Sequence, residues 1–314
     1  MTSLSVVIPV YRGALTIRDL AAALAVELPK LTAHYEVIMV EDDGGDHSWE
    51  VIQELAQTYP WLRGIKLMRN AGQHAALLCG IRAARYEVIV TMDDDLQHPP
   101  GEIHKLLSKL EEGYDVIYGS PEDKKHALGR NLGSFAVRFA LSTVMGVSAA
   151  RYVSAFRAFR THLRDAFAGY NSPYVSLDVL LTWGTTRFTH TPVEHRPRTI
   201  GTTGYTMRKL VTLAITMLTG FSVLPLRFAS YIGFGLTLFG IVLLIYVIPI
   251  RLFILGLKGV EGFTFLASMI SIFSGAQMFT IGIIGEYLAR MHFRLMDKPS
   301  YTALYDTTTQ TETS

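Results

Sequence analysis

Two long stretches without a charged residue constrain this chain more than any other feature. Phe228 to Ile250 is one and Gly262 to Gly285 the other. Each exceeds the roughly 20 residues an α-helix needs to cross hydrocarbon, so both read as transmembrane helices. A pair of buried core helices is the alternative, but uncharged runs this long are unusual in a water-soluble core. Arg208, Lys209 and Arg227 precede the first run, Arg290, Arg294 and Lys298 follow the second, and the connection Arg251 to Glu261 is short. Basic residues at span ends favour the cytoplasm. Both termini are therefore expected on the cytoplasmic side of the inner membrane. No cleavable signal is expected, because the apolar start Leu4 to Val10 is short, contains Pro9 and lacks a basic leader.

Ahead of the apolar half lies enough chain for one sizeable α/β domain. Of 314 residues 18% are charged, most of them before Arg227, and the net charge of +2 gives no field for binding nucleic acid. The single cysteine, Cys79, excludes an intrachain disulfide framework and agrees with a reducing compartment. Beside Leu77 and Leu78 it reads as a small buried apolar residue.

The first part of the chain alternates short β-rich runs with helix-length segments. Ser5 to Val10, Tyr35 to Val40, Gly64 to Leu67, Glu87 to Met92 and Asp115 to Tyr118 read as strands. This pattern predicts an α/β fold with a mostly parallel wound sheet covered on both faces. Ligands in such sheets collect beyond the carboxyl ends of the strands. Three polar rims fall there: Tyr11-Arg12-Gly13, the acidic turn Glu41 to Asp46, and Asp93-Asp94-Asp95-Leu96-Gln97. Two basic amphipathic stretches, Lys124 to Val147 and Thr206 to Leu226, read as helices against membrane lipid; an ordinary surface helix is the other reading of the second. Asp306 to Ser314, rich in Thr, reads as disordered.

Alternation along the chain leaving a strand puts Asp93, Asp95 and Gln97 on one side. Such oxygen ligands suit Mg²⁺ or Mn²⁺, which would neutralise charge on a leaving diphosphate. An aspartate triplet by itself is also compatible with a solvated turn or a helix cap. No His and Cys cluster has zinc-ligand spacing, and neither His74 nor His98 is assigned as a base. His190 and His195 read as surface or supporting residues.

These segments, in their order, resemble family 2 glycosyltransferases with the GT-A nucleotide-sugar-binding fold, of the dolichol-phosphate mannose synthase and bacterial polyprenyl-phosphate branch. The resemblance is carried by Ser5 to Tyr11, Glu41 to Asp46, Arg69-Asn70-Ala71-Gly72-Gln73-His74, Asp93 to Pro100 and Ser154-Ala155-Phe156-Arg157. It continues through Arg198, Gly201, Tyr205, Arg208-Lys209, Leu224-Pro225-Leu226-Arg227 and Gly285-Glu286-Tyr287. It implies a catalytic domain over residues 1–205, a juxtamembrane segment over 206–227, spans at 228–250 and 262–285, and a cytoplasmic tail over 286–314.

The implied activity is metal-dependent, inverting transfer of a sugar from a nucleotide-sugar to a polyprenyl phosphate for cell-envelope glycan or lipid modification, by a homo-oligomer such as a tetramer. Pro9 and Tyr11 would border the base and Asp42 would accept a hydrogen bond from it. Asp93 and Asp94 would approach ribose and diphosphate, and Asn70 would belong to the same nucleotide-sugar site. Asp93, Asp95 and Gln97 match the metal ligands, and Arg198 matches a diphosphate-binding arginine. Arg130, Arg157, Arg208 and Lys209 are candidates for the acceptor phosphate. A lipid phosphate is already largely anionic at neutral pH, so bringing two anions together matters more than a strong base.

The chain departs from the family at three places. Arg12-Gly13 stands where Asn-Glu is usual, Pro121 replaces an arginine after Gly119-Ser120, and Gly204 replaces a lysine. Lys124, Lys125, Arg130 and Arg157 are candidates to replace the two lost cations. The departures leave open a membrane-bound nucleotide-sugar scaffold or sensor with a degenerate site. A dinucleotide oxidoreductase is disfavoured because Pro9-Val10-Tyr11 stands where its glycine-rich turn would be, and two spans offer little material for a polymer channel.

Overall fold

Leu4–Val10 forms a strand, β1, in which all seven residues are buried. Burial on both faces is what a central parallel strand requires, and the chain supplies it with an almost wholly apolar run. The computed structural model describes residues 3–121, 141–196, 212, 215, 217–250 and 262–308. Lys124, Lys125, Arg130, Arg138, Arg198, Gly204, Arg208, Lys209, the connection from Arg251 to Glu261 and residues 309–314 lie outside the described residues.

Seven further strands join β1: β2 (Tyr35–Glu41), β3 (Leu62–Leu67), β4 (Val88–Thr91), β5 (Val116–Pro121), β6 (Arg157–Arg160), β7 (Phe188–Val193) and β8 (Ala303–Asp306). Their order in one sheet is β7-β5-β6-β4-β1-β2-β3-β8. β1, β2, β3 and β4 run parallel, β6 is inserted antiparallel between β4 and β5, and β8 pairs antiparallel with β3. The five expected strands are all present; all their ends fall within two residues of the expected ones except that of β5, which runs three residues further, to Pro121.

Helices α1 (Ile17–Leu31), α2 (Ser48–Thr58), α3 (Gln73–Ala83) and α4 (Ile103–Glu111) alternate with the strands, and a short α5 (Leu177–Leu181) precedes β7. On α1 the buried residues Ile17, Leu20, Ala21, Leu24 and Leu28 recur at helical spacing and enter the core. Gly80 brings α3 down onto β1: a Cβ there would sit 2.4 Å from Val7 Cγ1. Cys79 is buried in the same helix, and burial pushes its thiol up to about 12, as expected of a packing residue.

Proline in a central strand normally breaks a ladder, yet Pro9 costs nothing here. Val10 O accepts from Asp42 N on the β2 side, and Val7 O accepts from Met92 N on the β4 side. By alternation Pro9 faces β4, whose pairing with β1 has already ended at Val7 and Thr91. The strands part at that point.

The chain divides into two compact units, residues 1–214 with 297–314, and residues 215–296. Asp306, where disorder was expected to begin, instead closes β8. Its carboxylate lies 3.6 Å from Arg63, Thr307 N donates to Gly64 O at 3.0 Å, and Gly64 N donates to Thr307 Oγ1 at 3.0 Å. Leu141 and Met145, at the end of the first amphipathic stretch, are buried as well.

The second unit is a pair of packed helices, α6 (Leu224–Ile250) and α7 (Phe263–Leu295). Both are long and apolar enough to cross a membrane, and only 6% and 0% of their most apolar stretches are buried, unlike core helices of a soluble domain. α7 runs past the expected end at Gly285 to Leu295 and carries a Glu286–Arg290 pair one turn apart. Tyr287 Oη donates to Ser222 O at 2.6 Å within the same unit.

Candidate active site

The sheet order reverses between β1 and β4: β2 and β3 continue on one side, β4 and β6 on the other. In wound sheets this switch point opens a crevice beyond the carboxyl ends of the strands. The loops after β1, β2, β3 and β4 all leave at that edge. Arg12, Asp43 and Leu96, one on each of three of these loops, adopt left-handed φ angles of 57°, 49° and 61°. Such backbone costs about 1 kcal/mol or more per residue and persists only where its surroundings fix it. Arg12 Nε, for example, donates to Gly44 O at 3.0 Å and ties the first loop to the second.

Asp42 follows β2 and is buried. Its Oδ1 accepts from Ala71 N at 2.7 Å and its Oδ2 from Gly72 N at 2.8 Å, while Asn70 Nδ2 donates to the Asp42 carbonyl at 3.0 Å. Burial raises its pKa, and the neighbouring charges of Glu41 and Asp43 add to that, against the two amide bonds. The residue expected to face a base is therefore also the pin of the loop after β3. Gly72, at φ +91°, makes the turn into α3 that this pin requires.

Beyond β4, Asp93 Oδ1 accepts from Gln73 Nε2 at 2.6 Å, and buried Asp95 accepts from Gln97 N at 3.1 Å. Burial first, and then the charges of Asp93 and Asp95, push Asp94 up to about 7. Arg196 N donates to Gln97 O at 2.8 Å, so the segment leading to Arg198 is fastened to this loop. The His98 ring stacks on Phe156 at 5.1 Å and touches His195 at 5.0 Å. Burial, with help from His195, pushes His98 down to about 4. His74 is likewise held neutral by burial, its Nδ1 accepting from Leu177 N at 3.3 Å. Both histidines act here as packing pieces.

Among the described residues no three His, Cys, Asp or Glu side chains gather as a preformed metal centre. Asp93, Asp95 and Gln97 are two carboxylates and an amide. That all-oxygen set fits a Mg²⁺-like cation, which commonly takes one or two carboxylates and completes its shell with substrate phosphate and water. The crevice so built suits a ligand with a phosphate, a cation and several hydrogen-bonding groups.

Tyr11 stands half-exposed at the rim with the Arg12 guanidinium 5.3 Å from its ring, whereas Pro9 is buried in β1. Asn70 is exposed. Arg157 does not face an acceptor: it begins β6, is 2% exposed and pairs with Asp178, which also accepts from Tyr118 Oη at 2.9 Å. Its charge is neutralised inside the domain, so it is unsuited to replace a lost phosphate-side cation. Arg130, Arg198, Arg208 and Lys209 lie outside the described residues. Two partners escaped the sequence reading. Gln73 lies in a motif already singled out, at the first position of α3, and a helix start at a strand-end rim is the signal that points to it. Glu41 Oε1 accepts from Gly44 N at 2.7 Å, and its Oε2 is buried without a hydrogen bond among the described residues.

Residues 5–158 match the family model described as glycosyl transferase family 2. Over 298 residues the chain is 30% identical to the undecaprenyl-phosphate 4-deoxy-4-formamido-L-arabinose transferase of Photorhabdus laumondii, covering 95% of this chain and 92% of the relative. The protein of the same name from Pectobacterium carotovorum is 32% identical over 305 residues, with 95% and 92% covered. Among solved structures, glucosyl-3-phosphoglycerate synthase from Mycobacterium tuberculosis, in complex with Mn²⁺, UDP and glucosyl-3-phosphoglycerate, matches with a TM-score of 0.52 at 15% identity, over 69% of this chain and 78% of that one. At that identity the likeness speaks for the fold.

Proposed function

Since the chain belongs to glycosyl transferase family 2, we propose that it moves a sugar from a nucleoside-diphosphate sugar to undecaprenyl or another polyprenyl phosphate, at the cytoplasmic face of a membrane. One observation carries this reading: the acidic switch-point crevice belongs to a chain that also has two membrane-length helices and matches its lipid-phosphate-using relatives over 95% of its length.

In this reading Asp93, Asp95 and Gln97 hold a Mg²⁺ or Mn²⁺ ion. The ion supplies charge neutralisation at the departing diphosphate. Asp42 holds the loop after β3 so that Asn70 and Gln73 stand at the donor. Tyr11 offers an apolar ring beside the base. Arg198, two residues beyond the contact between Arg196 and Gln97, is the candidate to close over the diphosphate. The acceptor arrives as an anion, so the protein's tasks are orientation and shielding, and Arg130, Arg208 and Lys209 remain the acceptor candidates. Direct attack by the lipid phosphate inverts the anomeric centre. The basic residues flanking the helices support a cytoplasmic catalytic domain, and an oligomer through the helices is part of the same proposal.

The test is transfer by membrane-embedded protein to undecaprenyl phosphate from a panel of UDP-, GDP- and dTDP-sugars, with Mn²⁺ or Mg²⁺ and with EDTA. The lipid product is weighed by mass spectrometry and its anomer read by NMR. Metal-dependent formation of an inverted lipid-linked monosaccharide is expected. Donor binding without turnover on any donor would favour a nucleotide-sugar scaffold instead.

A further inference from the structure

Gln277 is the only carboxamide side chain in the two uncharged runs, and it stands near the middle of α7. It is exposed on the helix surface, and no hydrogen bond reaches its amide among the described residues. The hydroxyls of the same helix pair find acceptors one turn back: Thr280 Oγ1 donates to Ala276 O at 2.9 Å, and Thr237 Oγ1 to Gly233 O at 2.9 Å. Gln277 makes no such bond. In hydrocarbon there is no water to take its place, and an amide left without a partner there is costly.

One face of α7 is already taken. Phe273, Ala276, Thr280, Ile283 and Tyr287 alternate in steps of 3 and 4 residues and are half-buried. On this face a Cβ on Gly240 of α6 would stand 3.3 Å from Phe273 Cζ, and Tyr287 Oη reaches Ser222 O at 2.6 Å. One position further along the chain, about 100° round the helix, lies a second row. Ile270, Ser274, Gln277, Ile281, Ile284 and Leu288 follow one another in steps of 4, 3, 4, 3 and 4, and all are exposed. That spacing is the seam along which two helices wind together, and a single polar residue in such a seam fixes register. Ser274, one turn before Gln277, is small and lets two backbones approach at the level of the amide.

We propose that this second seam of α7 docks the same seam of a second copy of the chain, with Gln277 of each copy hydrogen-bonded to Gln277 of the other. Copies of one chain enter the membrane the same way round, so the two-fold axis relating them runs along the membrane normal. Gln277 then lies at one depth in both, where a side chain that carries both a donor and an acceptor is its own complement. The inference deepens the reading of α6 and α7 as associating membrane spans, and rests on it. It assigns the contact to one face and its register to one residue.

The experiment reconstitutes the full chain, fluorescently labelled, into liposomes over a range of protein-to-lipid ratios and counts copies by single-molecule photobleaching. Wild type forms a dimer whose fraction rises with the ratio. Q277L keeps a helix-forming side chain of similar size without the amide, and it shifts the equilibrium about 3- to 30-fold toward monomer. Q277N, which retains an amide, recovers part of that shift. In a C79A background, oxidation joins copies of I281C, on the seam, and leaves I272C, on the far side of α7, unjoined. A dimer fraction for Q277L equal to wild type, or cross-linking of I272C in preference to I281C, overturns the interface and leaves the spans intact. Wild type that is monomeric at every ratio overturns it as well, and slower transfer by Q277L would then assign the amide to a lipid. Release of the protein from membranes by alkaline carbonate overturns the span reading and this inference with it.

Discussion

Asp42→Asn changes one atom and removes a charge, yet it strikes the pin that holds the loop after β3. In the native protein each carboxylate oxygen takes one backbone N–H, from Ala71 at 2.7 Å and from Gly72 at 2.8 Å. An asparagine offers one oxygen and turns its NH₂ toward the other amide. One charge-assisted bond is lost, a second weakens to a neutral one, and two donors are left facing each other. A hydrogen bond to a charged group is worth about 1.5–3 kcal/mol, so the loop loses about 2–4 kcal/mol of local stability. The lower figure corresponds to about 30-fold faster opening. Hydrogen exchange with mass spectrometry, on peptides covering residues 69–76, reads this directly. Exchange at Ala71 and Gly72 should accelerate by that factor, while the buried strands β1 and β2 keep their protection. Because Gln73 starts α3 immediately after this turn and donates to Asp93, donor KM should rise as well. Native exchange rates at Ala71 and Gly72 in the variant would refute the pin.

Asp95→Asn should lower kcat of transfer at least about 100-fold with the fold intact by circular dichroism, and EDTA should abolish wild-type turnover until Mn²⁺ is restored. Arg157→Leu leaves Asp178 and the Tyr118 hydroxyl without their cation inside the domain. It should destabilise by about 3–5 kcal/mol in thermal unfolding, and the double change R157L/D178L should recover most of that loss. His74 is held below its ordinary pKa, chiefly by burial, with Asp178 opposing and Arg157 assisting. The unfolded chain thus binds a proton that the folded chain refuses; the stability tied to neutral His74 is present above about pH 6.5 and is lost as pH falls below it. A melting series from pH 7.5 to 5.5 should fall more steeply for wild type than for His74→Phe, and parallel curves would dismiss the histidine.

The parallel core was legible because β1, β2 and β4 are largely apolar runs that stay buried on both faces, a pattern that needs no partner to be recognised. β6 and β8 are four residues each, and β8 is largely exposed, so neither carries enough apolar signal. The carboxylates of the site were legible for a different reason: acids clustered directly after apolar strands have few structural uses. What escaped were relations between distant positions. Arg157 reads as a free cation until the fold places Asp178 against it, and Asp42 reads as a ligand group until Ala71 and Gly72 arrive at its oxygens. Gly13 reads only as a departure from the family until the fold brings Asp94 Oδ2 to 2.3 Å from where its Cβ would stand.

The return of the chain through β8 changes the status of the two long helices. They are an insertion in the chain between the seventh and eighth strands of a single sheet. If the hairpin crosses a bilayer, it does so an even number of times, whatever its loop does. A protease that nicks the chain after Met296 leaves β8, the edge strand on β3, as a peptide no longer linked to the rest of the sheet. A cut between α7 and β8 would therefore reach the sheet that carries the candidate site.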